Sequence, residues 1–295
     1  GTGAFSGAAA LVNVTLSNII ETIEASTFKN CLKLAKIVIP ASVQVISADA
    51  FAGCKALASV DLGAVKEIEQ YAFAGCETLK EITLPAETEA VDAVSFYGCT
   101  GLQAINVAEG NAKFKSVDGI VLVANGDEEP VFDTIAIYPA GKAGEYKVPA
   151  DVKNIADKAF YNCDAITGII FEAGFENIGA EAFYDCDNIN SIVLPESARD
   201  INDYAFASCD NLREFVVYSN LTDYADNAFD GCYYFNYDAV TINVEDNSGA
   251  TLAIVAGVLV VIGIIAYVVY NKKQKKLQAE IIEKNKIKEA LEAQK

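Results

Sequence analysis

The stretch F-A-G-C-K-A-L at residues 51–57 is repeated almost unchanged as F-A-G-C-E-T-L at residues 73–79. A phenylalanine followed three residues later by a cysteine occurs eight times, and these pairs contain all eight cysteines of the chain. The pairs are Phe28 and Cys31, Phe51 and Cys54, Phe73 and Cys76, Phe96 and Cys99, Phe160 and Cys163, Phe183 and Cys186, Phe206 and Cys209, and Phe229 and Cys232. Neighbouring phenylalanines are 22 or 23 residues apart, except for a step of 64 residues between Phe96 and Phe160. The spacing predicts a repeat protein with one insertion.

The repeat unit has the pattern F-x-x-C-x-x-L-x-x-I-x-[LI]-P, as in residues 73–85. Apolar residues alternate before the proline, which predicts a short strand with one buried face. A unit of about 23 residues has too few apolar side chains for a core of its own, so we expect the units to stack into a solenoid. Phe5 begins a further unit, in which Ala8 stands at the cysteine position. The prediction is nine units, which begin at Phe5, Phe28, Phe51, Phe73, Phe96, Phe160, Phe183, Phe206 and Phe229.

The insertion covers about residues 108–150. Its apolar stretches 120–123 and 134–138 flank the sequence N-G-D-E-E-P, which predicts a β-hairpin with an acidic loop. The pair Asp118-Gly119 indicates a second turn. The segment from Tyr146 to Ile155 then brings the chain back into the repeat register.

The units and the insertion resemble the BspA-like leucine-rich repeat, a variant found on bacterial and mucosal parasite surfaces. The insertion matches in order at Asn111, Asp118-Gly119, Tyr138-Pro139 and the segment from Tyr146 to Pro149. The resemblance implies a leucine-rich-repeat solenoid over residues 1–240, with short parallel strands on the concave face and irregular or short helical segments on the convex side. It also implies a cell-surface protein used in adhesion, with no catalytic residues and no cofactor.

Residues 251–270 form the clearest single segment, with twenty residues and no charge. Such a helix spans about 30 Å, the thickness of a bilayer core, so we expect one transmembrane helix rather than a buried core helix. Lysines follow it directly, which predicts a single-pass plasma-membrane protein with the N-terminus outside, a linker at 241–250 and a basic helical tail at 271–295 in the cytoplasm. Ala253 and Gly257 are spaced for weak homo-association of the helix.

The N-terminal end adds one expectation. The sequence begins at a repeat boundary without an initiator methionine, a signal peptide or a polar cap. We therefore expect a fragment or a processed form with more protein upstream.

The composition excludes several classes of function. The chain has no histidine, so Ser-His-Asp catalysis, Cys-His catalysis and histidine-ligated zinc sites are excluded. The formal net charge is −19; residues 271–295 carry eight lysines and four glutamates, or +4, which leaves −23 for residues 1–270. An acidic surface of this kind repels phosphates, so we expect no nucleic-acid partner.

The cysteines admit three interpretations. Each occupies the same position of its own unit, and Ala8 fills that position without sulfur, which favours small buried free thiols that pack in the core. Some disulfides remain an alternative, although stacked parallel side chains give poor geometry for a bridge. A metal site or a catalytic thiol is the third interpretation, and it requires four thiolates to converge.

Three further sets of residues are candidate sites. The outward strand positions are apolar in the last three units, so we expect a partner-binding stripe at Ile170, Val193 and Val216, unless β-branched residues occur there only because they suit strands. Asp164, Asp187 and Asp210 form a column that is either a calcium site or a solvated acidic ridge. The sequons at Asn13 and Asn220 are possible glycosylation sites.

Two classes of function follow. The first is a cell-surface adhesin that presents the repeats to host-cell or matrix proteins, or to a glycan. The second is a structural surface-coat protein that self-assembles and has no host ligand. An enzyme ranks behind both, because only the insertion carries grouped carboxylates that interrupt the repeat, and these are predicted in solvated loops: Asp118, Asp127, Glu128 and Glu129.

Overall fold

Most repeat units contribute two strands to two separate rows, a long strand after the cysteine and a short strand before the next phenylalanine. The structure is a computed structural model and describes residues 1–126, 130–217, 223–233 and 240–241. All of these residues belong to one unit, Gly1–Asn243. The second unit, Val244–Lys295, lies outside the described residues.

The long strands form three parallel sheets of two, two and five strands, in which the pairing joins equivalent positions of successive units. Ile37 lies opposite Val60, and Ile192 lies opposite Phe215. Apolar side chains of the same repeat position therefore form columns that face the core. The long strands are β2 (Lys36–Val38), β4 (Ser59–Asp61), β6 (Glu81–Leu84), β8 (Ala104–Val107), β12 (Gly144–Lys147), β14 (Ile166–Ile170), β16 (Ser191–Leu194), β18 (Glu214–Val217) and β20 (Val240–Thr241).

The short strands form the second row and are also parallel. In most of them the second residue is buried and the first points outward, as for Val45 and Ile46 in β3. Each unit thus contributes core residues from two rows. The short strands are β1 (Thr22–Ile23), β3 (Val45–Ile46), β5 (Glu67–Ile68), β7 (Ala90–Val91), β13 (Asn154–Ile155), β15 (Asn177–Ile178), β17 (Asp200–Ile201) and β19 (Asp223–Tyr224).

The insertion forms an antiparallel sheet of three strands, β9 (Phe114–Val117), β10 (Ile120–Asn125) and β11 (Val131–Ile137). β11 also pairs in parallel with β13, so the insertion joins the short-strand row of the units that follow it. Asp118 and Gly119 connect β9 and β10 and both have positive φ, 52° and 74°, as a tight two-residue hairpin turn requires. A side chain at Gly119 would also lie 2.6 Å from the Cβ of Ala104, so only glycine fits.

β10 and β11 divide the hydrophobic core into two parts. Ile120, Leu122 and Ile135 pack with the core of the following units. Val121 and Ile137 pack with the core of the preceding units. Successive residues of β10 point to opposite faces, whereas in β11 a register irregularity opposite Val121 and Leu122 places Ile135 and Ile137 on opposite faces. We call this pair of strands the wall, because it separates the two parts of the core.

An aromatic column runs through both parts of the core. The rings of the repeat phenylalanines stack on those of neighbouring units, with centroids between 4.5 and 5.6 Å apart. Tyr138 occupies a phenylalanine position, since its ring stacks on that of Phe160 and its N–H donates to the carbonyl of Ala159 at 2.7 Å. The repeat therefore resumes at Tyr138, inside the range 108–150 that the sequence assigns to the insertion.

The parallel β-solenoid predicted from the repeats is confirmed, with turns rather than helices between its strands. The short helices expected for the convex side do not occur among the described residues. The connections from a short strand to the next long strand, such as residues 47–58, form turns that are closed by backbone bonds within the unit and to the next unit. Within the ranges that the structure describes, no helix has the length and apolar character needed to cross a membrane. The predicted span 251–270 with Ala253 and Gly257, the tail 271–295 and nearly all of the linker 241–250 lie outside those ranges.

Candidate functional site

The eight cysteines are buried and free in the structure. Each thiol lies within hydrogen-bonding distance of a backbone carbonyl oxygen of the preceding unit, at the phenylalanine position. Cys54 donates to Phe28 at 3.1 Å, and Cys186 donates to Phe160 at 3.0 Å. Cys163 donates to Tyr138 at 3.7 Å, which is the longest of these bonds. The thiols therefore connect successive units without disulfides.

Burial makes most of these thiols poor nucleophiles and poor metal ligands; the exception is Cys232, whose pKa is lowered by its hydrogen bond with Cys209. Burial raises the pKa of Cys54 to about 12 and also raises the pKa of Cys163. Only a thiolate attacks or ligates, so a thiol with a raised pKa is inert near neutral pH. In the part of the chain that is described, no three Cys, Asp or Glu side chains are placed to hold a metal ion.

The predicted binding stripe is only partly exposed. Ile170, Val193 and Val216 are neighbours in register on β14, β16 and β18. Ile170 is 42% exposed and Val193 is half-buried, but Val216 is only 3% exposed. The expectation that Val216 faces outward to a partner is wrong. Residues 215–217 are all buried, so β18 does not alternate between a buried and an exposed face as the sequence pattern implied.

A polar cavity adjoins the stripe. It has a volume of about 530 Å³ and lies beside β16 and β18. Its side chains offer amide, hydroxyl, guanidinium and carboxylate groups, which suit a polar ligand. Sequence reasoning missed it, because its residues come from two units and form no motif in the linear chain. The lining residues are Asn188, Asn190, Ser191, Asn211, Arg213 and Glu214.

The aspartate column has a structural role. The N–H of Asp187 donates to the carboxylate of Asp164 at 3.1 Å, and the N–H of Asp210 donates to the carboxylate of Asp187 at 3.2 Å. Each of these two carboxylates thus caps the backbone of the next unit. The calcium interpretation is not supported, because among the described residues no three acidic side chains are placed to hold a metal ion.

The other candidate residues remain separate from one another. Asn13 is exposed on the first unit, whereas Asn220 lies outside the described residues. Asp118 forms an ion pair with Lys142 at 3.2 Å, which holds the β9–β10 turn against the unit of Tyr138. Residues 127–129, the other carboxylates considered for an enzyme, lie outside the described residues.

The family model for the BspA-type leucine-rich repeat region matches the chain in six copies, over residues 1–117 and 138–247. The chain belongs to this family. The gap in the match corresponds to most of the β9–β11 insertion, and the match resumes at Tyr138, where the structure also resumes the repeat. A solenoid of this family is typical of binding or scaffold proteins, which use the extended surface of the stacked units.

Two solved structures are similar to this chain. The pneumococcal vaccine antigen PcpA shares 28% sequence identity at a TM-score of 0.62, over 72% of this chain and 52% of the antigen. This chain thus spans about half of the antigen's length. A leucine-rich cell surface protein from Faecalibacterium prausnitzii shares 22% identity at a TM-score of 0.56, over 83% of this chain and 73% of that protein, and shows the fold alone. No curated protein matches the sequence.

Proposed function

We propose that this BspA-type protein is a cell-surface binding protein. Residues 251–270 anchor it in the plasma membrane, with the repeats outside and residues 271–295 in the cytoplasm. The repeats bind an extracellular protein or glycan of a host cell or matrix. Membership of the family and the surface character of the two similar proteins, a vaccine antigen and a cell surface protein, support this proposal.

One observation supports a location for the binding site on the solenoid. The sheet that contains β14, β16 and β18 combines the exposed side chain of Ile170 on β14 with the polar cavity beside β16 and β18. Lys147 and Glu172 form an ion pair of 2.7 Å at the edge of this face, and Lys147 lies opposite Ile170 in register. Ile170 and its half-buried neighbour Val193, with polar groups around them, match the apolar centre and polar rim of a protein-binding surface.

The test compares two variants at the same repeat position. Val38 on β2 occupies the same repeat position as Ile170 and is 65% exposed. It belongs to the unit that begins at Phe28, several units before those that line the polar cavity. The full chain is coupled to beads, so that weak contacts act together, and is presented to host epithelial cells and immobilised matrix proteins. We expect Ile170→Asp to reduce binding about tenfold or more and Val38→Asp to leave it within about twofold, since a charge disrupts only the face that makes contact.

Equal losses in the two variants would contradict the location of the site. If the beads bind neither cells nor matrix saturably but associate with one another, the proposal of a binding protein is wrong. That result would favour the alternative, a self-assembling surface-coat protein. Circular dichroism of both variants checks that the fold is intact.

A further inference from the structure

Four tyrosines form a continuous row on the surface, in contact from one repeat unit to the next. The ring centroids of Tyr71 and Tyr97 are 5.8 Å apart at an interplanar angle of 89°. Those of Tyr97 and Tyr161 are 5.9 Å apart at 58°, and those of Tyr161 and Tyr184 are 4.9 Å apart at 9°. We call Tyr71, Tyr97, Tyr161 and Tyr184 the tyrosine row.

The repeat explains how the row forms. Tyr97, Tyr161 and Tyr184 each follow a buried repeat phenylalanine directly, and they stay accessible: Tyr97 is 36% exposed and the other two are half-buried. The unit of Tyr138 lies between the units of Tyr97 and Tyr161, and it carries the buried Pro139 at the position where they carry a tyrosine. The rings of Tyr97 and Tyr161 therefore contact each other across this unit. The row therefore continues across the insertion. These aromatic side chains are not needed for the core.

Carboxylates surround the row. Asp185, directly after Tyr184, accepts a hydrogen bond from the side chain of Asn162 at 3.0 Å. Burial and then the negative charges of Asp187 and Asp164 raise its pKa. Burial and then the charge of Asp185 raise the pKa of Tyr97, which shows that this carboxylate lies close to the row.

A lysine three residues before Tyr161 balances part of this charge. Lys158 lies 3.8 Å from Glu181, at the limit of an ion pair, and both side chains are partly exposed. Glu181 is also close enough to contribute to the raised pKa of Tyr161, which is about 12 and is caused first by burial and then by Tyr184 and Tyr71. The carboxylates around the row thus repel one another and favour a cation from outside.

We propose that the tyrosine row and its carboxylates are a docking surface for a lysine- or arginine-rich segment of a partner protein. Aromatic rings attract ammonium and guanidinium groups through their quadrupole, and the attraction increases where water is partly excluded. Tyrosine hydroxyls and carboxylates accept the hydrogen bonds that a guanidinium donates. The repeat sets these groups at regular intervals along the surface, which suits an extended peptide.

A neutral sugar is the less suitable occupant. Sugars stack on an open ring face, whereas Tyr161 and Tyr184 cover one face of each other. A neutral ligand also does not relieve the repulsion among Asp164, Asp185 and Asp187. The charge of the site therefore distinguishes the two kinds of ligand.

The test measures binding of a fluorescent nona-arginine peptide to the full chain by anisotropy, with cellohexaose as a competing neutral probe. The double variant Tyr97→Leu/Tyr161→Leu keeps apolar bulk but removes two rings, and Tyr97→Phe/Tyr161→Phe keeps the rings. We expect the leucine variant to weaken binding about tenfold and the phenylalanine variant about threefold or less. Asp185→Asn should weaken binding by a similar factor to the leucine variant.

Two matched controls separate this site from general attraction to an acidic protein. Tyr204 is 42% exposed but makes no contact with the row, and Glu87 is exposed on another unit. Tyr204→Leu and Glu87→Gln should each change binding less than twofold. The proposal is overturned if Glu87→Gln weakens binding as much as Asp185→Asn, if the leucine variant binds normally, if cellohexaose displaces the peptide, or if the peptide does not bind saturably.

Discussion

The repeated cysteine shows how one side chain can define a unit. Its thiol is small enough for a buried turn and donates to the carbonyl of the phenylalanine in the unit before it. An alanine fits the same space without this bond, as Ala8 shows in the first unit. A serine would bury a more polar group among the apolar side chains. Cysteine is thus the residue that combines low polarity with a donor.

The raised thiol pKa values predict a loss of stability at alkaline pH. In the unfolded chain a thiol titrates near its ordinary pKa of about 8.5, whereas Cys54 in the folded protein titrates at about 12. Below about pH 8.5 both states are protonated and the contribution of the thiol is complete. Above it only the unfolded state loses the proton, so the free energy of unfolding falls until the pH passes about 12.

We therefore expect urea unfolding midpoints to decrease steadily from pH 9 to pH 11. The free energy of unfolding of the Cys54→Ala variant should fall less over the same range, because one titrating group is removed. The difference is up to about 1.4 kcal/mol per pH unit. If the free energy of unfolding falls equally with pH in the variant and in the unchanged chain, Cys54 does not contribute to the loss of stability. Ala58→Ser serves as a control at an exposed neighbouring position, because it changes no titrating group.

At this scale the sequence predicts which positions are equivalent but not how deeply each is buried. Ile170 and Val216 carry similar side chains at the same repeat position, yet one is exposed and the other is covered. Only the three-dimensional structure reveals what lies over a particular strand. The tyrosine row was missed for a related reason, since its contacts join residues that are 23 to 64 positions apart.

Among the structural elements, the wall is the one that the sequence described least completely. Alternation and the N-G-D-E-E-P turn indicated a hairpin, and β10 and β11 do form one. The continuous apolar run I-V-L-V at 120–123 was a further signal, because a strand buried on both faces has no polar positions. What the sequence could not show is that the two faces serve two different cores.

Gly141 lies where the unit after the insertion contacts the unit before it, and this contact gives a prediction. A Cβ at this position would lie 2.5 Å from the carbonyl oxygen of Thr100 and 2.7 Å from the nitrogen of Leu102. Backbone atoms cannot move aside cheaply, so Gly141→Ala should destabilise the protein by about 2 kcal/mol or more. The free energy of unfolding from a urea titration measures the effect.

Gly168 provides the matched control for this substitution. A Cβ there would meet only the flexible side chain of Glu145, at 3.5 Å, which is an ordinary contact. Gly168→Ala should therefore be neutral or slightly stabilising, because alanine reduces the entropy of the unfolded chain. Equal costs for the two variants would mean that the close approach at Gly141 does not stabilise the junction.

In the molecule as a whole, the wall leaves two hydrophobic cores that share no residue. Stability in a repeat protein is a sum of contributions from each unit and from its contacts with its neighbours. A defect in one core should therefore weaken its own units first. The repeated pattern predicted the stacking of the units from sequence alone, whereas this division depends on the packing of the inserted strands.

Hydrogen exchange tests the division. Phe51 and Phe183 occupy the same repeat position in the two cores, and both are fully buried. We expect Phe51→Leu to accelerate amide exchange in residues 23–107 and Phe183→Leu to accelerate it in residues 148–217, each with little effect on the other range. Acceleration throughout the described residues in both variants would instead indicate one cooperative unit.

The pairing of equivalent positions also bears on how the gene can change. At most junctions a unit offers the next one the same strand register, the same ring to stack on and the same carbonyl for its thiol. Recombination that duplicates or deletes one whole unit on either side of the wall consequently leaves all remaining junctions intact. Descendants of this protein can thus differ in length by multiples of about 23 residues and still fold. Such changes would shift a binding surface along the solenoid without altering the surface itself.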